Sequence, residues 1–195
     1  MSVSYINLNG QFVADNLPIA TVGDRALRYG DGIFETMLWK DGEIRFLDFH
    51  VERLQKGMEL IKLEEFQKFD AYYIRSMAEE LIRKNNMLGQ QVRIRLSVYR
   101  AGEGLYAPDN NKPAFILQVN KVATSLRDKK VGLIVDLFTE FKKPYSELSH
   151  LKSNNALFYV MAGIYKKKFA FDEVLLLNQE GYLCEALYSN IFVYY

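Results

Sequence analysis

The chain has 195 residues, enough for one large domain or two small ones, and its 49% hydrophobic and 14% aromatic content is that of a globular protein. With 25 basic and 24 acidic residues the formal charge is +1, and no stretch approaches the ~20 apolar residues of a membrane helix, so we expect neither nucleic acid nor membrane as a partner. Two histidines argue against a His-rich metal site, and we expect no metal; the single cysteine, Cys184, suits a reducing, cytoplasmic location.

The first half of the chain is predicted to form two hairpins and then two helices. Asn9-Gly10 and Asp41-Gly42 each separate two apolar runs, as the tight turns of β-hairpins do. Apolar residues then recur at helical spacing, and Asp48 is placed to cap or charge the start of the first helix. The predicted buried faces are Leu47, Val51, Leu54, Met58 and Ile61 in the first helix, and Phe66, Phe69, Tyr73, Met77 and Leu81 in the second.

A strict alternation follows in the segment "QVRIRLSVYR", which predicts a strand. Its two faces carry Val92, Ile94, Leu96 and Val98 on one side, and Arg93, Arg95, Ser97 and Tyr99 on the other. A turn-rich loop leads to the strand "AFILQV". We place a domain boundary in the polar stretch 120–130, which gives an N-terminal domain of residues 1–120 and a C-terminal domain of residues 121–195.

The second half is predicted to contain the strand "VGLIVDLF", a helix over 154–168, a hairpin of "DEVLLL" with "YLCEA", and a last strand "SNIFVYY". This order predicts an α+β, or mixed α/β, fold with mainly antiparallel pairing. The sequence contains no Gly-rich phosphate loop. It stops within an apolar strand with no turn after it, so we expect the second domain to be incomplete.

One lysine, Lys152, stands just before the predicted helix, where an anion would suit the helix dipole better. A lysine is a strong nucleophile when burial or a nearby cation keeps it neutral, although most lysines are solvated. Glu185 lies at the end of the next hairpin, where a surface carboxylate is the simplest interpretation. A lysine for a Schiff base and a carboxylate for a ring nitrogen are nevertheless the pair that pyridoxal phosphate requires.

Four segments in order resemble the signatures of one enzyme family. They are "DRALRYGDGIFETM" (24–37), "FHVERL" (49–54), "KSNNAL" (152–157) and "FDEVLLLNQEGYLCEALYSNIFV" (171–193). With them the chain resembles the fold-type IV, or class IV, pyridoxal-phosphate enzymes, which include branched-chain and D-amino-acid aminotransferases and aminodeoxychorismate lyase. The resemblance implies a two-domain fold, pyridoxal 5′-phosphate as cofactor, amino acids and 2-oxo acids as substrates, and a homodimer. Family members continue well beyond the Ser-Asn-Ile-Phe segment, which again implies an incomplete second domain.

The resemblance also assigns roles to cofactor-binding residues. Lys152 matches the lysine that forms the Schiff base and moves the Cα proton, and Glu185 matches the carboxylate that faces the pyridine nitrogen. Arg53 matches an arginine that binds the cofactor phosphate, a role that suits a guanidinium, although a solvated helix arginine is the alternative. Ser189 lies where the motif contacts the cofactor or supports its strand, and Asn190 is expected to be structural.

The residues expected to meet the substrate lie on two strands. Phe34 matches a position that lines the substrate pocket, although a plain core aromatic is equally consistent with it. The resemblance implies that a residue of this strand binds the substrate carboxylate; Arg93 and Arg95 are the candidates, and alternation does not decide which of them, if either, points into the pocket. Glu35 belongs to the same motif as Phe34, but the residues alone indicate no role for it.

The loop 101–108 resembles the segment that varies with substrate in the family. It lacks the arginine and histidine pair of D-amino-acid aminotransferases, and its glycine-rich form is closer to the lyase branch. The favoured function is a pyridoxal-phosphate aminotransferase with a branched-chain-like substrate. The alternatives are aminodeoxychorismate lyase, which eliminates pyruvate, and a truncated homologue without catalytic activity. Arg25 and the Gly30-Asp31-Gly32 turn are expected to be scaffold.

Overall fold

The computed structural model describes residues 4–122 and 132–194, and the chain divides into two units. The first unit comprises Met1–Ala123 together with Lys152–Asn154, and the second comprises Thr124–Leu151 together with Asn155–Tyr195. The predicted boundary in the stretch 120–130 lies almost entirely outside the described residues. No helix among the described residues is long and apolar enough to cross a membrane.

The first unit is built on a six-stranded sheet in which every neighbouring pair is antiparallel. The strands are β1 (Tyr5–Leu8), β2 (Gln11–Ala14), β3 (Gly32–Lys40), β4 (Glu43–Ile44), β5 (Val92–Arg100) and β6 (Pro113–Lys121), in the order β2-β1-β6-β5-β3-β4. Asn9, Gly10, Asp41 and Gly42 all have positive φ. The two predicted hairpin turns are therefore confirmed, since such turns need positive φ.

Helices α1 (Arg25–Tyr29), α2 (Leu47–Leu60) and α3 (Ala71–Lys84) complete the first unit, with a 3₁₀ helix at Phe66–Lys68. The predicted apolar face of β5 is confirmed, because its two valines, its isoleucine and its leucine are all fully buried. Leu54, Met58 and Leu81 of the predicted helix faces are buried as well. The second helix begins later than predicted. Asp70 caps it by accepting a 2.7 Å hydrogen bond from the Tyr73 N–H, which leaves Phe66 in the 3₁₀ helix.

The second unit contains a three-stranded sheet and one α-helix. Its elements are β7 (Val135–Lys143), a 3₁₀ helix (Glu147–His150), α4 (Leu157–Lys168), β8 (Glu173–Asn178) and β9 (Leu183–Ala186). The pair β8–β9 is the predicted hairpin, whereas β7 and β8 are parallel because α4 crosses between them. Phe138, Ala162, Val174, Leu176 and Leu187 form the core. The mixed α/β fold class is thus confirmed.

Two predictions about the second half are wrong. The helix starts at Leu157 rather than at residue 154, because the preceding residues take part in strand pairing instead. The segment "SNIFVYY" contains no strand over its described residues, 189–194, and Phe192 and Tyr194 are almost fully exposed. An apolar run becomes a strand only where a neighbouring strand pairs with it, and no such pairing is found there.

The segment Lys152–Asn154 pairs with the start of β3. The Phe34 N–H donates to the Lys152 carbonyl at 2.8 Å, and the Asn154 N–H donates to the Gly32 carbonyl at 2.9 Å. Ser153 lies opposite Ile33 in an antiparallel bridge. A Cβ at position 32 would lie 2.7 Å from the Val98 backbone carbonyl oxygen and 2.8 Å from the side-chain Nδ2 of Asn154. A side chain at position 32 would therefore be too close to the backbone of β5 and to the Asn154 side chain, which favours glycine there.

We expect Gly32→Ala to lower the free energy of unfolding by about 1–3 kcal/mol, since the added methyl group forces backbone atoms apart. The matched control is Gly132→Ala, because no atom lies within 4 Å of a Cβ at that position. The control should change the stability by less than about 1 kcal/mol. Urea unfolding measures both, and equal stabilities of the two variants would contradict the close contact.

Candidate active site

The alternation of β3 separates the predicted site residues of the first unit into two groups. Phe34 and Glu35 are consecutive, so their side chains leave opposite faces of the sheet. Phe34 lies with Lys152 and Arg95. Glu35 lies with His50 and Arg53 of α2. We call these sets the lysine group and the glutamate group.

In the lysine group, two cationic side chains contact one aromatic ring. The Lys152 Nζ lies 4.8 Å from the centroid of the Phe34 ring, and the Arg95 Cζ lies 3.6 Å from the same centroid. Such distances are those of cation–π contacts. The paired backbone of residues 152–154 and the ladder between β3 and β5 hold the three side chains together.

The lysine group also distinguishes between the two arginines that alternation could not separate. Arg95 contacts Phe34 and is partly buried, whereas Arg93 is exposed. Burial, and then the positive charge of Arg93, lower the pKa of Arg95. A bound anion would offset this repulsion between like charges. The face is therefore suited to a carboxylate.

The glutamate group is an ionic cluster around a buried carboxylate, and the sequence did not predict it. Glu35 is 1% exposed. Its Oε1 accepts from the Arg53 Nε at 2.6 Å, and its Oε2 accepts from the Arg53 Nη2 at 2.6 Å and is 2.7 Å from the His50 Nδ1. Burial raises the pKa of Glu35, but the hydrogen bonds from Arg53 and His50 outweigh it and hold that pKa below the ordinary value. The carboxylate is therefore ionised.

Arg53, the predicted phosphate ligand, already donates two hydrogen bonds to the Glu35 carboxylate. The hydrogen bond to Glu35 raises the pKa of Arg53 against the opposing effect of burial. The fork uses two of the five N–H donors of the guanidinium. Since 53% of the Arg53 side chain is exposed, a second anion can reach it. Its phosphate role stays a prediction.

A sequence signal for the glutamate group does exist. Glu35 interrupts the buried alternation of Ile33, Met37 and Trp39, and a carboxylate in such a pattern needs a cationic partner. His50 and Arg53 are three residues apart and so lie on one face of α2. The pattern indicates a buried ion pair, but it does not indicate which helix supplies the cation.

In the second unit, Glu185 lies on β9 and has two partners that were not predicted. Its Oε1 accepts from the Tyr159 hydroxyl at 3.0 Å and forms a salt bridge with Lys143 of β7. Burial would lower the pKa of Lys143, but the hydrogen bonds and charges of Glu185 and Tyr159 together outweigh it and raise that pKa. Lys143 is therefore held as an ammonium ion beside the predicted ring-nitrogen partner.

Ser189 is also held within the second unit. Its hydroxyl donates to the Glu173 Oε2 at 2.7 Å, and the Tyr188 N–H donates to the same oxygen at 3.3 Å. Glu173 is buried on β8. Asn190 is exposed. These contacts fix the course of the chain after β9.

The predicted scaffold residues anchor the variable loop 101–108. Arg25 and Arg100 each donate from Nε to the Asp31 Oδ2, at 2.8 and 3.0 Å. The Arg25 Nη1 donates to the Leu105 carbonyl at 2.5 Å. Through the buried Arg25, the loop is tied to the turn that precedes β3.

The chain matches a known family over most of its length. The family model described as amino-transferase class IV matches residues 32–195. Aminodeoxychorismate lyase of Bacillus subtilis is 26% identical over 194 residues, which are 96% of this chain and 63% of that protein. A probable branched-chain-amino-acid aminotransferase of Rickettsia bellii is 29% identical over 191 residues, which are 96% of this chain and 64% of that protein.

A solved structure agrees with this match at the level of the fold. An aminotransferase from Brucella abortus, bound to the cofactor PLP, superposes with a TM-score of 0.77 at 21% identity, covering 97% of this chain and 67% of that one. The chain thus spans a little under two thirds of the length of the curated relatives that it matches.

We expect Glu35→Gln to lower the free energy of unfolding by about 1–3 kcal/mol near neutral pH, because it breaks charge-assisted hydrogen bonds. The folded-state pKa of Glu35 lies below its ordinary value of 4.5. The stabilisation is therefore fully present above about pH 4.5 and is lost as the pH falls through the lowered folded-state pKa.

Urea unfolding of the natural chain and of this variant at a series of pH values measures the effect. The exposed Glu59→Gln on the same helix is the control, and it should alter stability little. A difference between the natural chain and Glu35→Gln that stays constant from about pH 7 to about pH 3 would be inconsistent with the ionised cluster.

Proposed function

Because the chain belongs to the class IV aminotransferase family, we propose that it carries out pyridoxal-phosphate-dependent transfer of an amino group from an amino acid to a 2-oxo acid. The observation that carries this proposal is the lysine group. It places a primary amine and a guanidinium on one aromatic ring. These are the two groups that an amino-acid substrate needs, one for reaction and one for its carboxylate.

The side chains present suit the cofactor. Pyridoxal phosphate, when bound, supplies an aldehyde that condenses with amines and a ring that withdraws electrons from the substrate Cα. Lys152 has the amine that meets such an aldehyde, and Arg53 has guanidinium donors for a phosphate. Glu185 has the carboxylate for a ring nitrogen, and Ser189 follows it in the same motif. Each of these donors is thus of a chemical type that the cofactor requires.

Lys152 and Arg95 have different roles towards the substrate. The Lys152 Nζ would hold the cofactor through its aldehyde carbon and, once the substrate amine has displaced it there, would take the proton from the substrate Cα. Arg95 binds the substrate carboxylate, and its contact with Phe34 orients the guanidinium. Because both cations lie on the same ring, a substrate carboxylate bound by Arg95 would lie near Lys152. Arg93 adds positive charge to this face.

Two reaction classes share this arrangement. The match to a probable branched-chain aminotransferase supports a branched-chain-like amino acid as the donor. The match to aminodeoxychorismate lyase and the glycine-rich loop 101–108 support elimination of pyruvate as the second candidate. The same lysine serves both reactions. A homodimer and a cytoplasmic location are further parts of the proposal.

Borohydride reduction of the full chain with pyridoxal phosphate tests the role of Lys152. Peptide mapping should locate the reduced adduct on Lys152 and not on Lys143, because the salt bridge to Glu185 keeps the Lys143 amine protonated. Lys152→Ala should lose the adduct and lower turnover at least about a hundredfold. The exposed Lys142→Ala is the matched control and should keep both.

Product analysis separates the candidate reactions. Transfer from a branched-chain amino acid to a 2-oxo acid identifies an aminotransferase. Pyruvate released from aminodeoxychorismate without a 2-oxo acid identifies the lyase. A chain with no adduct at Lys152 and neither product would overturn both and leave a non-catalytic homologue.

A further inference from the structure

We propose that Glu35 is a positioning residue, which holds the Arg53 guanidinium in one orientation so that its remaining N–H donors bind a phosphate group. The chemistry recognised is that of a phosphate dianion, either a phosphate monoester or free phosphate. The inference deepens the proposed function and rests on it where the phosphate belongs to the cofactor.

Stability alone gives little reason for a carboxylate at this position. Ile33, Met37 and Trp39 occupy the same face of β3 and are buried. Burying a charge among apolar side chains is costly, and well-packed apolar residues often replace buried ion pairs without loss of stability. A function for Glu35 therefore has to come from its effect on its partners.

The effect on Arg53 is geometric. Both carboxylate oxygens contact the guanidinium, through Nε and Nη2 at 2.6 Å each. A planar fork bound at both oxygens has one orientation, whereas a free arginine side chain samples many rotamers. Fixing the side chain before the ligand arrives removes an entropic cost from binding. The Nη1 group lies on the opposite side of Cζ from Nε and Nη2, so its donors point away from Glu35.

His50 completes the cluster and limits its electrostatic cost. Since an ionised carboxylate only accepts hydrogen bonds, the His50 Nδ1 carries the proton in its 2.7 Å contact with Oε2. The negative charge of Glu35 is thereby spread over three hydrogen bonds behind the guanidinium. The repulsion between Glu35 and a phosphate is further reduced by salt, whereas the short hydrogen bonds that orient Arg53 are partly buried and are screened much less.

The first test uses inorganic phosphate and the full chain without cofactor, in about 0.5 M salt to screen the repulsion. In the natural chain, nitrogen NMR should resolve the Arg53 Nη signals, because the fork restricts rotation, and phosphate should shift the Arg53 Nε–H signal. Glu35→Gln should merge the Nη signals and raise the phosphate Kd about tenfold, the loss of roughly one immobilised side chain.

Glu52→Gln is the matched control. Glu52 precedes Arg53 on α2 and pairs with Lys56 rather than with Arg53. The control removes the same charge and should leave the phosphate Kd within about twofold. The proposal is overturned if phosphate does not shift Arg53 in the natural chain, or if Glu35→Gln and Glu52→Gln bind phosphate equally. If Glu35→Gln does not fold, Glu35→Asp keeps the charge but is too short for the fork and should show the same loss.

The second test compares pyridoxal phosphate with pyridoxal, which lacks the phosphate. Glu35→Gln should weaken binding of pyridoxal phosphate about tenfold and leave binding of pyridoxal unchanged. A merely structural role would weaken both ligands alike. A failure of the proposed function would leave Lys152 unlabelled by either compound. The inorganic phosphate experiment decides the role of Glu35 in that case as well.

Discussion

The backbone pairing between residues 152–154 and the start of β3 is the constraint on which the candidate site depends. Two hydrogen bonds and an antiparallel bridge turn what would be the first turn of α4 into a short extended segment. The same pairing brings Lys152 to the ring of Phe34 and beside Arg95. At this point Gly32 leaves room for the Val98 carbonyl of β5 and for the side-chain amide of Asn154.

The two faces of strand β3 carry two different charged clusters. Phe34 presents an aromatic surface to two cations, and the next residue, Glu35, directs a carboxylate into the core to meet Arg53 and His50. In the second unit, Glu185 is likewise paired with a cation, Lys143. In each of these clusters a predicted functional side chain is held by partners that fix its orientation or protonation.

Much of the fold follows from local rules. The Asn-Gly and Asp-Gly turns, the alternation of β5 and the hairpin of β8 with β9 are each encoded within a few residues, so the sequence predicts them. The start of α3 depends on the Asp70 cap, which competes with an apolar spacing that continues upstream to Phe66. The last segment fails as a strand because strand formation needs a partner, and apolar character alone does not supply one. The pairing of residues 152–154 with β3 is non-local and leaves no periodic signal.

The candidate site, like the fold, is only partly predicted by the sequence. Lys152, Glu185 and Arg53 can be named from motifs, and the choice between Arg93 and Arg95 requires the register of β3 with β5. The partners of Glu35 and Glu185 come from other elements, α2 in one case and β7 with α4 in the other. Such contacts depend on tertiary packing, which sequence periodicity does not specify.

Hydrogen–deuterium exchange resolved by NMR at the Phe34 and Asn154 amides tests the central pairing most directly. We predict that both amides exchange as slowly as those of the ladder between β3 and β5, because each donates to a carbonyl of the paired segment. Exchange of both amides as fast as in the loop 101–108 would contradict the pairing, and with it the placement of Lys152 beside Phe34.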